Sequence, residues 1–286
     1  MTLTRVGPTC DHENMRVDGK VFIVTGAGSG MGRELTHLLL QRGASVAAVD
    51  INPGSLAETA QTAGASDSLA LFIVNIADRE AVEALPEKVI ARFGAVDGVI
   101  NNAGIIQPMV MVDDLDYQVI ERVMAVNFWG PVYLTKALLP HLKTRPVAHI
   151  INTSSMGGFL PVPGQTIYGA SKAAIKLFTE GLHSELAATN VKVSVVFPGA
   201  ISTNIASNSG LSGFQERMSG DGKSQPKTPP MTAADEAARI IVAGIERDHY
   251  RVLVGRDAKL MDFLCRLAPK RAAGFIYQQM KGILGS

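Results

Sequence analysis

Cysteine is almost absent from this chain. Its 286 residues contain two, Cys10 and Cys265, too far apart to form a spacing motif. Neither a disulfide framework nor a thiolate metal site is indicated, and reduced thiols in a cytoplasm are the simplest reading. Charge of one sign is missing too. The 27 Lys and Arg stand against 26 Asp and Glu, a formal net charge of +1, which argues against the basic surface of a nucleic-acid binder. No stretch reaches about 18 uninterrupted apolar residues, so no membrane span is expected. Residues 1–20 lack an apolar h-region and do not read as a secretory signal. The six histidines, His12, His37, His141, His149, His183 and His249, do not pair at metal spacing. Cys10, Asp11, His12 and Glu13 are rich in ligand atoms but follow no metal pattern, so no metal is expected.

What is present is apolar: 47% of the residues are hydrophobic, enough to build a full core. Residues 1–17 are polar and irregular and read as a flexible arm. From Lys20, short β-branched runs alternate with longer helical patterns, the signature of βαβ units on a parallel sheet. Strands are expected at Val21–Val24, Ser45–Asp50, Leu69–Val74, Gly98–Asn101, Ala148–Asn152, Lys192–Phe197 and Arg251–Val254. Most are apolar on consecutive residues, as strands buried on both faces are. Helices are expected over Met31–Arg42, Arg79–Phe93, Tyr117–His141, Tyr168–Ala188 and Ala233–Arg247. The rhythm never restarts, so residues 18–255 read as one domain. Ser202–Met231 is rich in Gly, Ser and Pro, too long for an ordinary connection, and reads as a substrate lid. Residues 256–286 read as a C-terminal helical extension, with Leu260, Phe263, Leu264 and Leu267 on one face until Pro269 breaks it.

The first strand runs into Thr25-Gly26-Ala27-Gly28-Ser29-Gly30-Met31-Gly32, and a helix follows. Glycines let the backbone turn tightly and approach a diphosphate, and the helix start offers free N–H groups and a positive dipole end. The spacing is TGxxxGxG, through Gly26, Gly30 and Gly32, with Met31 where GxGxxG would have its last glycine. No Lys-Ser/Thr follows, which disfavours a P-loop. Twenty residues past Gly30 the second strand ends in Asp50. A carboxylate there can accept from both ribose hydroxyls of an adenosine and repels a 2′-phosphate. Ser29 stands where a basic residue would help bind that phosphate. Arg33 is nearby but reads as a solvated side chain. These features favour NAD over NADP; a turn-forming Asp50 before Asn52-Pro53 is the competing reading.

Tyr168-Gly169-Ala170-Ser171-Lys172 opens a helix with Tyr and Lys on one face. A free phenol has a pKa of ~10. An adjacent ammonium is expected to lower it, so that Tyr168 can take a proton from an alcohol or return one to a ketone. Ser155 lies 13 residues earlier, in a loop at the C-terminal end of a parallel strand, where such sheets bind ligands. Its hydroxyl can hold the substrate oxygen beside the phenol.

Thr25–Gly32, Asn101-Asn102-Ala103-Gly104, Asn127, Ser155, Tyr168, Lys172 and Pro198-Gly199 stand in one order. In this the chain resembles the short-chain dehydrogenase/reductase superfamily over residues 18 to 255. The resemblance implies a Rossmann-like, doubly wound, seven-stranded parallel α/β sheet in a single domain. It implies that Asn102, Ala103 and Gly104 hold the middle of the cofactor. Asn127 would kink its helix and hold a water linking Lys172 to solvent, and Lys172 would also grip the nicotinamide ribose. Pro198 and Gly199 would lead to Ile201 and Thr203 at the carboxamide. Asn75 stands where the family usually has Asp; its oxygen can still bond the adenine amino group, with Ile76 packing on the ring. Family members are usually dimers or tetramers built through helices here around Tyr117–His141 and Tyr168–Ala188.

The expected cleft lining is apolar: Ile106, Pro108, Met109, Met111, Phe159, Leu160 and Val162, with Met218 in the lid. It points to a hydrophobic secondary alcohol or its ketone. No charged residue in these segments suggests a phosphate or carboxylate handle. Arg256, Lys259, Arg266, Lys270, Arg271 and Lys281 flank the apolar stripe of the extension, which could touch a membrane surface or pack on the domain or a neighbour. The rival readings are an NADP-dependent carbonyl reductase, which Asp50 opposes, and a non-catalytic NAD-binding regulator, for which Ser155, Tyr168 or Lys172 should be missing.

Overall fold

The structure, a computed structural model, describes residues 15–64, 66–203, 205–211 and 231–280. Seven strands form one sheet: β1 (Val21–Thr25), β2 (Ser45–Asp50), β3 (Leu69–Ile73), β4 (Gly98–Asn101), β5 (Ala148–Thr153), β6 (Val191–Pro198) and β7 (Arg251–Val254). The order is β3-β2-β1-β4-β5-β6-β7 and every pairing is parallel. Parallel neighbours need crossover helices, which cover both faces. Strands β1, β4 and β5 are accordingly buried along their whole length.

Each strand stands where the sequence placed it, within a residue or two. Helix α1 (Gly30–Gln41) follows β1, and α2 (Pro53–Ala63) follows β2. The sequence reading missed α2. Its first turn holds Pro53 and Gly54, and only Leu56 and Thr59 are buried, so it has almost no apolar period; Asn52 caps it by accepting from Ser55 N at 3.0 Å. The expected Arg79–Phe93 helix is two, α3 (Arg79–Glu83) and α4 (Leu85–Phe93), with Pro86 in the first turn of the second, where its missing N–H is harmless. The expected Tyr117–His141 helix is α5 (Tyr117–Met124), a π-turn at Ala125–Trp129, and α6 (Gly130–Leu142). Helix α7 (Thr166–Glu185) carries the Tyr-Lys pair.

Helix α8 (Ile205–Asn208) is one turn; α9 (Ala234–Glu246) precedes β7, and the chain continues through α10 (Arg256–Leu267) and α11 (Pro269–Met280). Pro269 ends α10 as expected, then opens a further helix rather than a loop. One side of the sheet packs Leu35 and Leu39 of α1 with Ala238, Ile241 and Ile245 of α9. The other packs Val82, Leu85, Val89, Leu134 and Leu138.

Met15 and Val17 are buried in the first of these clusters, so the packed chain begins before residue 18. The rest of the expected arm, with Cys10 and His12, lies outside the described residues, as do most of the expected lid with Met218, and Lys281.

Strand order reverses between β1 and β4. The connections leaving their C-terminal ends part there, and an open α/β sheet binds its ligand in that crevice.

Candidate active site

The crevice is a cleft of about 550 Å³ lined from Asp50, Asn75 and Ile76 at one end, past Gly26, Ser29, Gly30 and Met31, to Asn102, Ala103, Gly104, Arg122 and Thr203. Gly26 and Gly30 have φ of +70° and +51°, in the left-handed region. A Cβ on Gly32 would lie 2.0 Å from the Gly26 carbonyl oxygen, so the helix can start against the turn only if that residue is glycine. Ser29 is the N-cap of α1 but makes no cap bond with its side chain, and the first turn holds no acid. Its N–H groups therefore face the cleft without a competing anion.

Thr25 ties this turn to β4. Its hydroxyl oxygen accepts from Asn102 N at 3.0 Å and Ala103 N at 3.1 Å, and Asn102 Nδ2 donates to Thr25 O at 3.1 Å. Asn102 Oδ1 is buried without a protein partner, a polar atom at the cleft wall that a ligand group can satisfy.

Asp50 is held rigidly. Gly28 N donates to its Oδ2 at 2.9 Å and Asn52 N to its Oδ1 at 3.0 Å. A Cβ on Gly28 would strike that carboxylate at 2.9 Å and Ser55 Cβ at 2.7 Å, so Gly28, which the TGxxxGxG pattern passes over, belongs to the site. Arg33 is not a solvated side chain. Both terminal nitrogens reach Glu58 at 2.8 Å, and it also donates to Thr59 Oγ1 at 3.1 Å and to the Gly28 carbonyl. Asn75 is exposed, and its Oδ1 already accepts from Ala77 N at 3.0 Å, leaving one lone pair for an adenine amino group. Ile76 lines the cleft and packs against Gly130.

Of Pro198, Gly199, Ile201 and Thr203, Thr203 lines the cleft, beside Ile205, Asn208, Ser209 and Gly210; its Cγ2 would sit 3.1 Å from a Cβ on Gly30. Ile201 packs on the core and pairs with Thr232. Pro198 ends β6, and Gly199 lies against Asp257 of α10, whose Oδ2 accepts from Ala200 N at 2.6 Å. The extension thus braces this loop, a role that a lone Asp beyond the last strand does not announce in sequence.

The residues expected to be catalytic come together just beyond β5, in the π-turn and on α7. Ser155 Oγ accepts from Gly157 N at 3.0 Å and acts on the Tyr168 phenol from nearby. Its neighbour Ser154 donates to the Lys172 carbonyl at 2.7 Å and is structural. Lys172 is buried; Nζ donates to Thr153 O at 3.0 Å, lies 5.9 Å from the Tyr168 ring centre and approaches Gly104 in the cleft. Asn127 sits in the π-turn, which is the kink expected there. Its side chain is held on both ends: Nδ2 donates to Ile105 O and Ser171 Oγ, and Oδ1 accepts from Ile105 N, all at 2.9 Å, with one Oδ1 lone pair left over.

The expectation that Lys172 lowers the Tyr168 pKa is corrected. Burial raises the phenol above its ordinary 10, and the Ser155 hydroxyl is the opposing influence. Burial also pushes Lys172 down to about 8, so the ammonium keeps most of its charge at neutral pH and loses it as pH rises through that value.

Gln107 escaped the sequence reading. It is buried; Oε1 accepts from Ile167 N at 2.8 Å and Tyr168 N at 3.0 Å, and Nε2 donates to Gly164 O at 3.0 Å. It satisfies the open start of α7 from a distant loop. A Gln in an irregular segment carries no local signal of this. Of the expected substrate lining, Phe159, Leu160 and Val162 border a second recess of about 550 Å³, closed by Pro161, Pro163 and Ala273 of α11. Ile106 is buried, and Met111 is half exposed.

The short chain dehydrogenase family matches residues 20–212. The oxidoreductase SadH of Mycobacterium tuberculosis is 40% identical over 258 residues, 87% of this chain and 91% of its own. A short chain dehydrogenase/reductase from Burkholderia phymatum, solved with NAD, superposes with a TM-score of 0.76 at 25% identity, covering 88% of this chain and 96% of that one. A short chain dehydrogenase from Burkholderia cenocepacia, solved with NADP, gives 0.75 at 27% identity, covering 92% and 99%. The crevice, the Ser-Tyr-Lys group and these likenesses agree: the chain belongs to the short chain dehydrogenase family, oxidoreductases that use a nicotinamide cofactor.

Proposed function

We propose that this enzyme uses NAD to interconvert a hydrophobic secondary alcohol and its ketone. The observation that carries the cofactor choice is the fixed Asp50 carboxylate at the adenosine end, with Arg33 committed to Glu58. A 2′-phosphate would meet a negative charge and find the nearest guanidinium taken. The related structures contain both NAD and NADP, so the choice rests on these residues.

The residues fit such a cofactor. Asp50 would hold the adenosine ribose, the Gly26–Gly32 turn and Ser29 the diphosphate, Asn102 to Gly104 the middle, and Lys172 with Thr203 the nicotinamide half. When bound, the cofactor supplies the hydride acceptor. Tyr168 takes the hydroxyl proton and Ser155 orients the substrate oxygen. A relay water beside Asn127 would bond its backbone carbonyl or the remaining lone pair of its Oδ1.

The apolar recess between Phe159–Pro163 and Ala273 supports a greasy substrate. The exposed Tyr117 (80%), Trp129 (46%) and Leu177 (68%) on α5, the π-turn and α7 support a homo-oligomer through those helices. With two distant cysteines, a cytoplasmic setting remains our reading.

The test follows reduced-nicotinamide absorbance across apolar secondary alcohols, with NAD and NADP side by side. Turnover with NAD is expected. Asp50→Ala should weaken NAD and shift preference toward NADP; an unmoved preference overturns the account of cofactor choice.

A further inference from the structure

The C-terminal extension leaves an apolar stripe bare. On α10, Leu260, Phe263 and Leu267 recur at i, i+3 and i+7 and share one face. They are 54%, 59% and 69% exposed. On α11, Phe275 and Tyr277 are exposed as well. A water-facing surface seldom gathers so many large apolar side chains in one short segment. The same two helices carry Arg256, Lys259, Arg266, Lys270 and Arg271, all exposed. Their two acids turn toward partners: Asp257 accepts from Ala200 N, and Asp262 pairs with Arg251 at 2.8 Å and Arg266 at 3.1 Å. Among the described residues of the extension, the charge left facing outward is therefore positive, although the whole chain is nearly neutral.

This pattern selects an occupant. A second copy docked about a two-fold axis would set the same cations against one another, and like charges across an interface oppose association. An anionic lipid surface complements both features. The apolar side chains enter the acyl boundary, while Lys and Arg lay their stems along the rim and direct their charges to the phosphates.

We propose that α10 and α11 form a docking site for an anionic phospholipid bilayer, on which the enzyme lies without spanning it. Helix α11 also supplies Ala273 to the apolar recess beside the catalytic loop, so docking element and recess share a helix. That an apolar alcohol reaches the site from the bilayer rests on the substrate reading above; the docking does not.

The experiment is co-sedimentation of the full chain with vesicles of phosphatidylcholine alone or mixed with phosphatidylglycerol. Expected is binding to the anionic vesicles that falls as salt rises, and little binding to the zwitterionic ones. Leu260→Ser, Phe263→Ser and Leu267→Ser together should abolish it at an unchanged melting temperature. Lys259→Glu, Lys270→Glu and Arg271→Glu should each weaken it by about fivefold or more. Failure to sediment with anionic vesicles, equal binding to both kinds, or undiminished binding of the triple serine variant overturns the proposal. So does a serine variant that falls to a smaller assembly by light scattering while the parent ignores vesicles, which would make the stripe an interface between copies. Sedimentation needs no turnover, so failure of alcohol oxidation would leave the docking standing, and the reverse.

Discussion

Tyr168 and Ser155 act together, because the Ser155 hydroxyl is what opposes the rise that burial imposes on the phenol's pKa. Alcohol oxidation needs the phenolate, so its kcat/KM should rise with pH; ketone reduction needs the neutral phenol and should fall. Removing the Ser155 hydroxyl removes the lowering influence, so in Ser155→Ala the rising limb of oxidation should move to higher pH. Tyr168→Phe should retain cofactor binding and lose turnover by roughly a hundredfold or more. Paired pH profiles and cofactor titrations check both; an unshifted limb in Ser155→Ala would mean that the Ser155 hydroxyl does not tune the base. The Ser-Tyr-Lys residues were legible in sequence because their spacing is fixed by one helix and one strand end. The direction of the Tyr168 shift was not, since desolvation depends on what surrounds the ring.

At the scale of elements, the start of α7 shows what sequence spacing omits. Its N–H groups at Ile167 and Tyr168 are satisfied by Gln107, some sixty residues away in sequence. Gln107→Leu would leave two donors and the Gly164 carbonyl without their partner. The expected cost is about 2–4 kcal/mol of stability, with a loss of turnover because Tyr168 sits in the turn that frays. Denaturant unfolding with kcat measured in parallel checks this, and an unchanged midpoint would remove Gln107 from the account. The π-turn at Ala125–Trp129 is a similar case: apolar periodicity runs through Tyr117–His141 as if it were one helix. The interruption is coupled to the bonds of Asn127 with Ile105, which no window of local sequence contains. Helix α2 was missed for the opposite reason, a polar helix with too few buried positions to show a period.

Two buried basic side chains give the stability of the fold a pH dependence. Lys172 is depressed to about 8 from 10.5, and His149, buried between β5 and β6 with Ser194 at 2.8 Å from its Nε2, to about 4 from 6.5. In each interval the unfolded chain binds more protons than the folded one, so stability should rise with pH from about 4 to 6.5 and again from about 8 to 10.5. Lys172→Met removes the second rise, increases stability at neutral pH and abolishes turnover. Thermal melts across pH would show this; a variant no more stable than its parent at neutral pH would contradict the burial cost. Sequence by itself determined the strand rhythm, the glycine-rich turn after β1, the acid at the end of β2 and the candidate group Ser155, Tyr168 and Lys172. All of these follow from local patterns of apolar, glycine and polar residues. Only the tertiary structure decided that Arg33 serves Glu58, that Gln107 caps α7 and that Asp257 braces the loop after β6. It also decided how far burial shifts the catalytic pair. These depend on packing between segments far apart in the chain, where hydrogen-bond partners and desolvation are set.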